Sequence, residues 1–385
     1  MALTLYLPAA ANGRIENYAL SGTKPVRPAK GVAFNRIAYS AAHVVADPRA
    51  AIDPWLQCAV DWDTTIKYRQ YLWSLGLGVA EAMDTAQRGM GLDWPTSLEL
   101  IRRSLDAARD VPGAIVASGC GTDHLAIDEV KSVDDVIRGY EEQMAAIEKL
   151  GGKLIVMASR ALAKVAKSPA DYERVYDRVL SQAKQPVVLH WLGDMFDPAL
   201  AGYWGSKDVD AAMNTALGII EAHPAKVDGI KISLLDKDKE IAMRARLPKG
   251  VRMYTGDDFN YAELIETGSD ALLGIFDAIA PAASAALGEL AQGNTARFHD
   301  ILGPTVPLSR HIFQAPTRFY KTGVVFMAWL NGHQSHFTMV GGQQSTRSLV
   351  HLAELFRLAD RANLLEKPDL AVQRMKSLLA VHGVE

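Results

Sequence analysis

Val-Asp-Gly-Ile-Lys-Ile-Ser, residues 227–233, reads as a buried strand with a lysine at its centre. An ammonium group between two isoleucines is expensive to bury unless it is neutralised or put to use. Strand alternation places Gly229, Lys231 and Ser233 on one face and Ile230 and Ile232 on the other.

Outward from this stretch, short apolar runs alternate with helical patterns. Candidate strands fall at 36–43, 78–83, 113–118, 153–158, 186–192, 229–234, 251–255 and 271–276. Amphipathic segments such as 133–150, 170–183 and 209–222 lie between them. Strand–helix alternation implies a parallel sheet. Eight units over roughly 250 residues is the size of an α/β (β/α)8 TIM barrel. Residues 3–7 and 14–20 read as a hairpin turning at Asn12-Gly13, which is expected to close the bottom of the barrel. A linker with Pro25 and Pro28 follows, and helices are expected at 295–302, 321–330, 345–359 and 370–379. The expected organisation is an N-terminal hairpin and linker (1–31), a barrel (32–293) and a C-terminal helical extension (294–385).

The 385 residues are 49% hydrophobic and 22% charged, as in an ordinary globular protein. A net charge of −3 gives no electrostatic attraction to nucleic acid or an anionic membrane. No uncharged apolar run is long enough to span a bilayer, and the first eleven residues lack the basic region of a signal peptide. Cys58 and Cys120 stand apart with no zinc spacing, so a reduced, cytoplasmic protein is expected.

Active sites of such barrels lie at the carboxyl ends of the strands. Those positions hold His43 and Asp47, Asp84 and Thr85, Asp123 and His124, Ser159 and Arg160, His190, Lys231 and Ser233, then Gly256, Asp257 and Asp258. Parity in 186–192 turns Val188 and His190 to the lumen beside Lys231. A lysine with a pKa of about 10.4 is neutral in roughly 1 of 2500 molecules at pH 7. Desolvation that lowers the pKa to about 7 raises the reactive fraction by order 10³, giving an amine able to form a Schiff base. The bland alternatives are a lysine that snorkels to solvent or pairs with Asp257, and a His190 bonded within the core. Gly256-Asp257-Asp258 reads more as a loop and helix cap than as chemistry. Gly256 would still let a substrate approach the backbone. Gly202-Tyr203-Trp204-Gly205 is a candidate lid.

The order of these motifs resembles the dihydrodipicolinate synthase and N-acetylneuraminate lyase superfamily of class I aldolases, in a longer bacterial branch. The resemblance rests on Gly229-Ile230-Lys231, on Gly256-Asp257-Asp258 with the apolar stretch 268–276, and on Gly119-Cys120-Gly121. It covers roughly residues 34–380. It implies a Schiff base on Lys231 with no cofactor, and association through the C-terminal helices as a homodimer or homotetramer. This chain also departs from the pattern. His190 stands where the superfamily carries a proton-relaying tyrosine. Met83-Asp84-Thr85-Ala86-Gln87 replaces a Gly-Thr-Thr-Gly-Glu carboxylate loop, and Ser159-Arg160 replaces a tyrosine pair. These changes argue against dihydrodipicolinate synthesis itself.

The expected function is therefore a Schiff-base lyase acting on a hydroxylated keto compound, a sugar or sugar-acid derivative. Lys231 is the nucleophile and His190 the proton shuttle. His43, Asp84, Thr85, His124, Ser233 and Gly256 would contact substrate, and Arg160 would meet an anionic group. The alternatives are a Schiff-base dehydratase, a metal-dependent barrel lyase or isomerase using His43, Asp84, His124, His190 and Asp257, and a non-catalytic binder of carbonyl ligands.

Overall fold

Eight parallel strands close on themselves in the computed structural model, which describes residues 3–9, 11–22, 24–28 and 33–384. The strands are β3 (Ala38–Ala41), β4 (Gly78–Glu81), β5 (Val116–Cys120), β6 (Lys153–Val156), β7 (Val187–Leu192), β8 (Val227–Ser233), β9 (Arg252–Thr255) and β10 (Asp270–Leu273). β10 pairs with β3 to complete the barrel. The expected start of the barrel at residue 32 lies outside the described residues.

Strand alternation sorts the apolar side chains into two separate clusters. Ile230, Ile232, Leu189 and Trp191 join the large cluster between barrel and helices. Tyr39, Ala80, Ile155, Val188 and Tyr254 belong to a smaller cluster that fills the lumen. The parity read from 227–233 is thus the parity of the fold. Gly229 is required by this packing: a Cβ there would lie 2.6 Å from the Arg252 carbonyl and 2.7 Å from the Tyr254 ring. The Tyr254 hydroxyl in turn donates to Asp228 Oδ2 at 2.6 Å, at the amino end of β8. The lumen below Lys231 is therefore plugged, and the open end is at the carboxyl ends of the strands.

Local signals start the outer helices where the sequence places them. Ser132 and Asp135 form a reciprocal capping box on Val133–Lys149, and Asp208 caps Val209–Ala222. Each such cap contributes about 1 kcal/mol. The strand bounds differ from those expected by up to three residues, most at β5 and β10. Gly113, at φ +79°, is spent on a turn, so β5 begins later and runs through Cys120. After Leu273 the chain turns at once into the short helix Ile275–Ala278.

The hairpin of β1 (Thr4–Pro8) and β2 (Ile15–Ala19) forms as expected, but it does not plug the barrel. It docks on the C-terminal helix Leu349–Arg361. The Arg357 guanidinium donates to the Pro8 carbonyl at 2.9 Å, and the Tyr18 hydroxyl donates to Asp360 at 2.6 Å. Apolar Leu5 and Leu7 are buried there, which favours packing against a helix face over a barrel floor already closed by tyrosines. Among the described residues no helix is long and apolar enough to cross a membrane.

Candidate active site

β7 and β8 pair so that His190 sits directly beside Lys231. Lys231 is 7% exposed. Desolvation pushes its pKa down, and the charges of Asp258 and Asp84 partly oppose that shift. Its neighbour His190 is fully enclosed, and burial, followed by the charge of Lys231, holds the imidazole well below its ordinary pKa. It is therefore neutral at physiological pH, with one N–H donor and one acceptor. Neither ring nitrogen has a hydrogen-bond partner among the described residues. Buried polar groups without partners cost about 1–3 kcal/mol each, and such groups facing a cavity are suited to meet a ligand.

Two adjoining cavities open at this point. The inner chamber is lined by Lys231, Ser233, Asp258, Asp84, Thr85 and Tyr320, among others. The outer lobe shares Asp84 and Leu192 with it and is lined by His190, Arg88, Asp123, Arg160 and Asp197. Asp84 and Thr85 begin a one-turn helix, Asp84–Ala86. Two residues near this turn, Ala82 (φ 51°) and Gln87 (φ 66°), adopt the left-handed region, a strained conformation for side chains with a Cβ.

Gly256 matters for a reason different from the one expected. A Cβ there would fall 2.3 Å from Ser233 Oγ and 2.7 Å from Lys231 Cε. The absent side chain makes room for the lysine itself, and Gly256 lines neither cavity. Asp258 overturns the loop-only expectation. It lines the inner chamber, and burial raises its pKa to about 7, opposed by the Ile275 N–H it accepts at 2.9 Å and by the charge of Lys231. Asp257 keeps the capping role, accepting from the N–H groups of Phe259 and Asn260.

Three other expectations need correction. His43 lines neither cavity. Its Nδ1 lies 2.8 Å from Asp277 Oδ2, its Nε2 lies 3.2 Å from Gln334 Oε1, and its ring packs on Tyr68. β3 ends at Ala41, and the chain then turns His43 toward the helices. His124 is likewise behind the lobe, with Nδ1 2.8 Å from Gln143 Nε2 and Nε2 3.3 Å from Glu142. The Tyr203–Trp204 turn is no lid: Trp204 is fully buried against Tyr176, at 4.6 Å between ring centroids. Among the described residues no three His, Cys, Asp or Glu side chains are grouped to hold a metal ion, so the five-residue metal set is dispersed.

Arg160 lines the lobe as expected, but it pairs with Asp197. Sequence reading passed over Arg88. This buried guanidinium makes two bonds to Asp123, at 2.8 and 3.0 Å, and reaches the Gly119 carbonyl at 2.6 Å. Each arginine of the lobe is thus matched by a carboxylate. Tyr320 was also missed. It begins the helix Tyr320–Leu330 of the C-terminal extension, and its hydroxyl lies 2.7 Å from Thr85 Oγ1. No local signal marks it, because only the tertiary fold carries it to the chamber.

Over residues 5–384 the chain matches the model of a family described as "Protein of unknown function (DUF993)". No curated protein matches it. In fold it is similar to dihydrodipicolinate synthase from Aquifex aeolicus, at 12% identity, TM-score 0.65, covering 86% of this chain and 99% of that one. It is also similar to a prophage protein of the dihydrodipicolinic acid synthase family from E. coli K12, solved with pyruvate, at 15% identity, TM-score 0.66, covering 86% and 100%. The synthase from Thermotoga maritima gives 16% identity and a TM-score of 0.62 over 86% and 100%. The chain therefore belongs to the family described as a protein of unknown function (DUF993), and it is built on the barrel fold of the dihydrodipicolinate synthases.

Proposed function

We propose that this protein is a class I lyase that holds a hydroxylated keto compound as a Schiff base on Lys231. The observation that carries this is the placement of a desolvated lysine in the inner chamber, directly beside a neutral and unbonded His190. Nothing in the barrel occupies the lysine's amine: among the described residues its Nζ makes no hydrogen bond. Lowering an amine pKa by desolvation raises the nucleophilic fraction.

The carbonyl of the substrate sits in the inner chamber and condenses with Lys231. The resulting iminium draws electrons from the bond between the α and β carbons, which breaks to leave an enamine and a carbonyl fragment; in the dehydratase variant it draws them from the α C–H bond, and the enamine then expels the β-hydroxyl. His190 accepts the proton of the substrate hydroxyl as that bond breaks and returns it to product; a positioned group of this kind contributes about 10²–10⁴-fold. Asp84 and Ser233 hold hydroxyl groups. The remainder of the substrate extends into the outer lobe. There the paired Arg160–Asp197 and Arg88–Asp123 groups offer hydrogen bonds without net charge, which suits hydroxyls better than a second carboxylate. A fold shared with aldolases adds weight to this function, and no metal or organic cofactor is needed for it.

The test is chemical trapping. The protein is incubated with a panel of keto acids and keto sugars and reduced with borohydride, and its intact mass is measured. The expected result is a mass gain equal to the retained carbon fragment, insensitive to EDTA. Ligands that bind and are never trapped would make the protein a carbonyl binder or a metal-dependent enzyme instead.

A further inference from the structure

We infer that Tyr320, brought to the barrel mouth by the C-terminal extension, is the acid that protonates the substrate's carbonyl oxygen while Lys231 forms its Schiff base. This rests on the Schiff-base function proposed for Lys231 and adds a division of labour to it.

Tyr320 lines the same inner chamber as Lys231, Ser233 and Asp258, whereas His190 lines the outer lobe. The two proton-transfer groups therefore serve different places along a bound substrate. The phenol is 4% exposed and is held on several sides. Its ring stacks on Phe313 at 4.3 Å and 15°, meets Phe196 edge-on at 6.1 Å, and its hydroxyl lies 2.7 Å from Thr85 Oγ1. Burial keeps the phenol protonated, the state an acid requires. Asp258 is the other proton-bearing group of the chamber, but one of its oxygens is held by the Ile275 N–H, and its charge is coupled to that of Lys231. It serves the amine, and the phenol serves the oxygen.

The step balances. The amine lone pair of Lys231 forms the carbon–nitrogen bond, and the carbonyl π pair moves to oxygen, which takes the phenol proton. The proton released from the nitrogen returns to the phenolate through the Thr85 hydroxyl. A second transfer from the phenol to the carbinolamine hydroxyl lets it leave as water while nitrogen forms the double bond. The phenolate left by this second transfer takes back, from solvent, the proton that Lys231 shed on becoming a free amine, so the net change joins one ketone and one protonated lysine into one protonated iminium and one water.

The experiment is a time course of borohydride-trapped adduct, using one ketone that wild type both binds and traps, with Tyr320→Phe and Thr85→Val as variants. Tyr320→Phe keeps the ring and its stacking and removes only the hydroxyl. It is expected to form adduct roughly 10²-fold more slowly with unchanged affinity for the ketone, and Thr85→Val is expected to slow it by a smaller factor. A folded Tyr320→Phe that forms adduct at the wild-type rate would overturn the assignment while leaving the Schiff base intact. Should Tyr320→Phe fail to fold, Thr85→Val decides, and a wild-type rate in it overturns the relay. A wild type that binds ketones and traps none removes the Schiff base and this inference together.

Discussion

The barrel mouth and the first turn of the helix Tyr320–Leu330 each bury a lysine, yet they are built for opposite ends. Lys231 is 7% exposed and Lys321 is 4% exposed. Desolvation lowers the pKa of both, that of Lys321 to about 8. Burial and titration alone do not separate them. What separates them is reach. Lys231 lines the inner chamber with its amine unbonded. Lys321 lines neither cavity, donates to the Arg318 carbonyl at 3.0 Å, and rests 4.6 Å from the centre of the Tyr320 ring. A perturbed amine becomes a nucleophile only where a cavity delivers a carbonyl to it.

The sharpest way to break this contrast is to remove each lysine. Lys231→Ala should abolish the trapped adduct altogether, as read by intact mass. His190→Asn comes next. The adduct on Lys231 should persist while turnover falls by about 10²–10⁴-fold, measured without borohydride as product release from a ketone that wild type traps. Gly256→Ala should then cost about 1–3 kcal/mol of stability through overpacking and displace the lysine, because the added Cβ meets Lys231 Cε at 2.7 Å. A melting curve together with the adduct yield would register both effects. Asp258→Asn should change the position of a pH profile more than its height. The Asp258 carboxylate raises the Lys231 pKa, so its removal lowers that pKa, and the acid limb of adduct formation moves to lower pH. A limb that stays in place, or moves up, would remove Asp258 from the site. The smallest effect is expected for Lys321→Met, which should leave the adduct on Lys231 unchanged.

Much of the fold is legible in the sequence because strand parity and barrel period are local signals. Residues 227–233 alone place Lys231 inward and the isoleucines outward, and 186–192 adds His190 beside it. The failures share one physical cause. His43 and His124 stand near strand ends by sequence, but Asp277 and Gln143, distant in the chain, turn them away from the cavity. Tyr320 lies 235 positions after Thr85, and periodicity within its own helix says only that it is buried. Asp257 and Asp258 both read as caps of the next helix; which of two adjacent aspartates faces the chamber depends on a loop geometry that sequence does not specify. The hairpin was legible as a hairpin, but its docking partner was not.

The most direct measurement is peptide mapping of the borohydride-reduced adduct in the wild-type protein. The expected result is a single modified peptide carrying the label on Lys231, present in Lys321→Met and absent in Lys231→Ala. A label on Lys321, or on surface lysines with Lys231 unmodified, would contradict the assignment of the barrel lysine as the nucleophile.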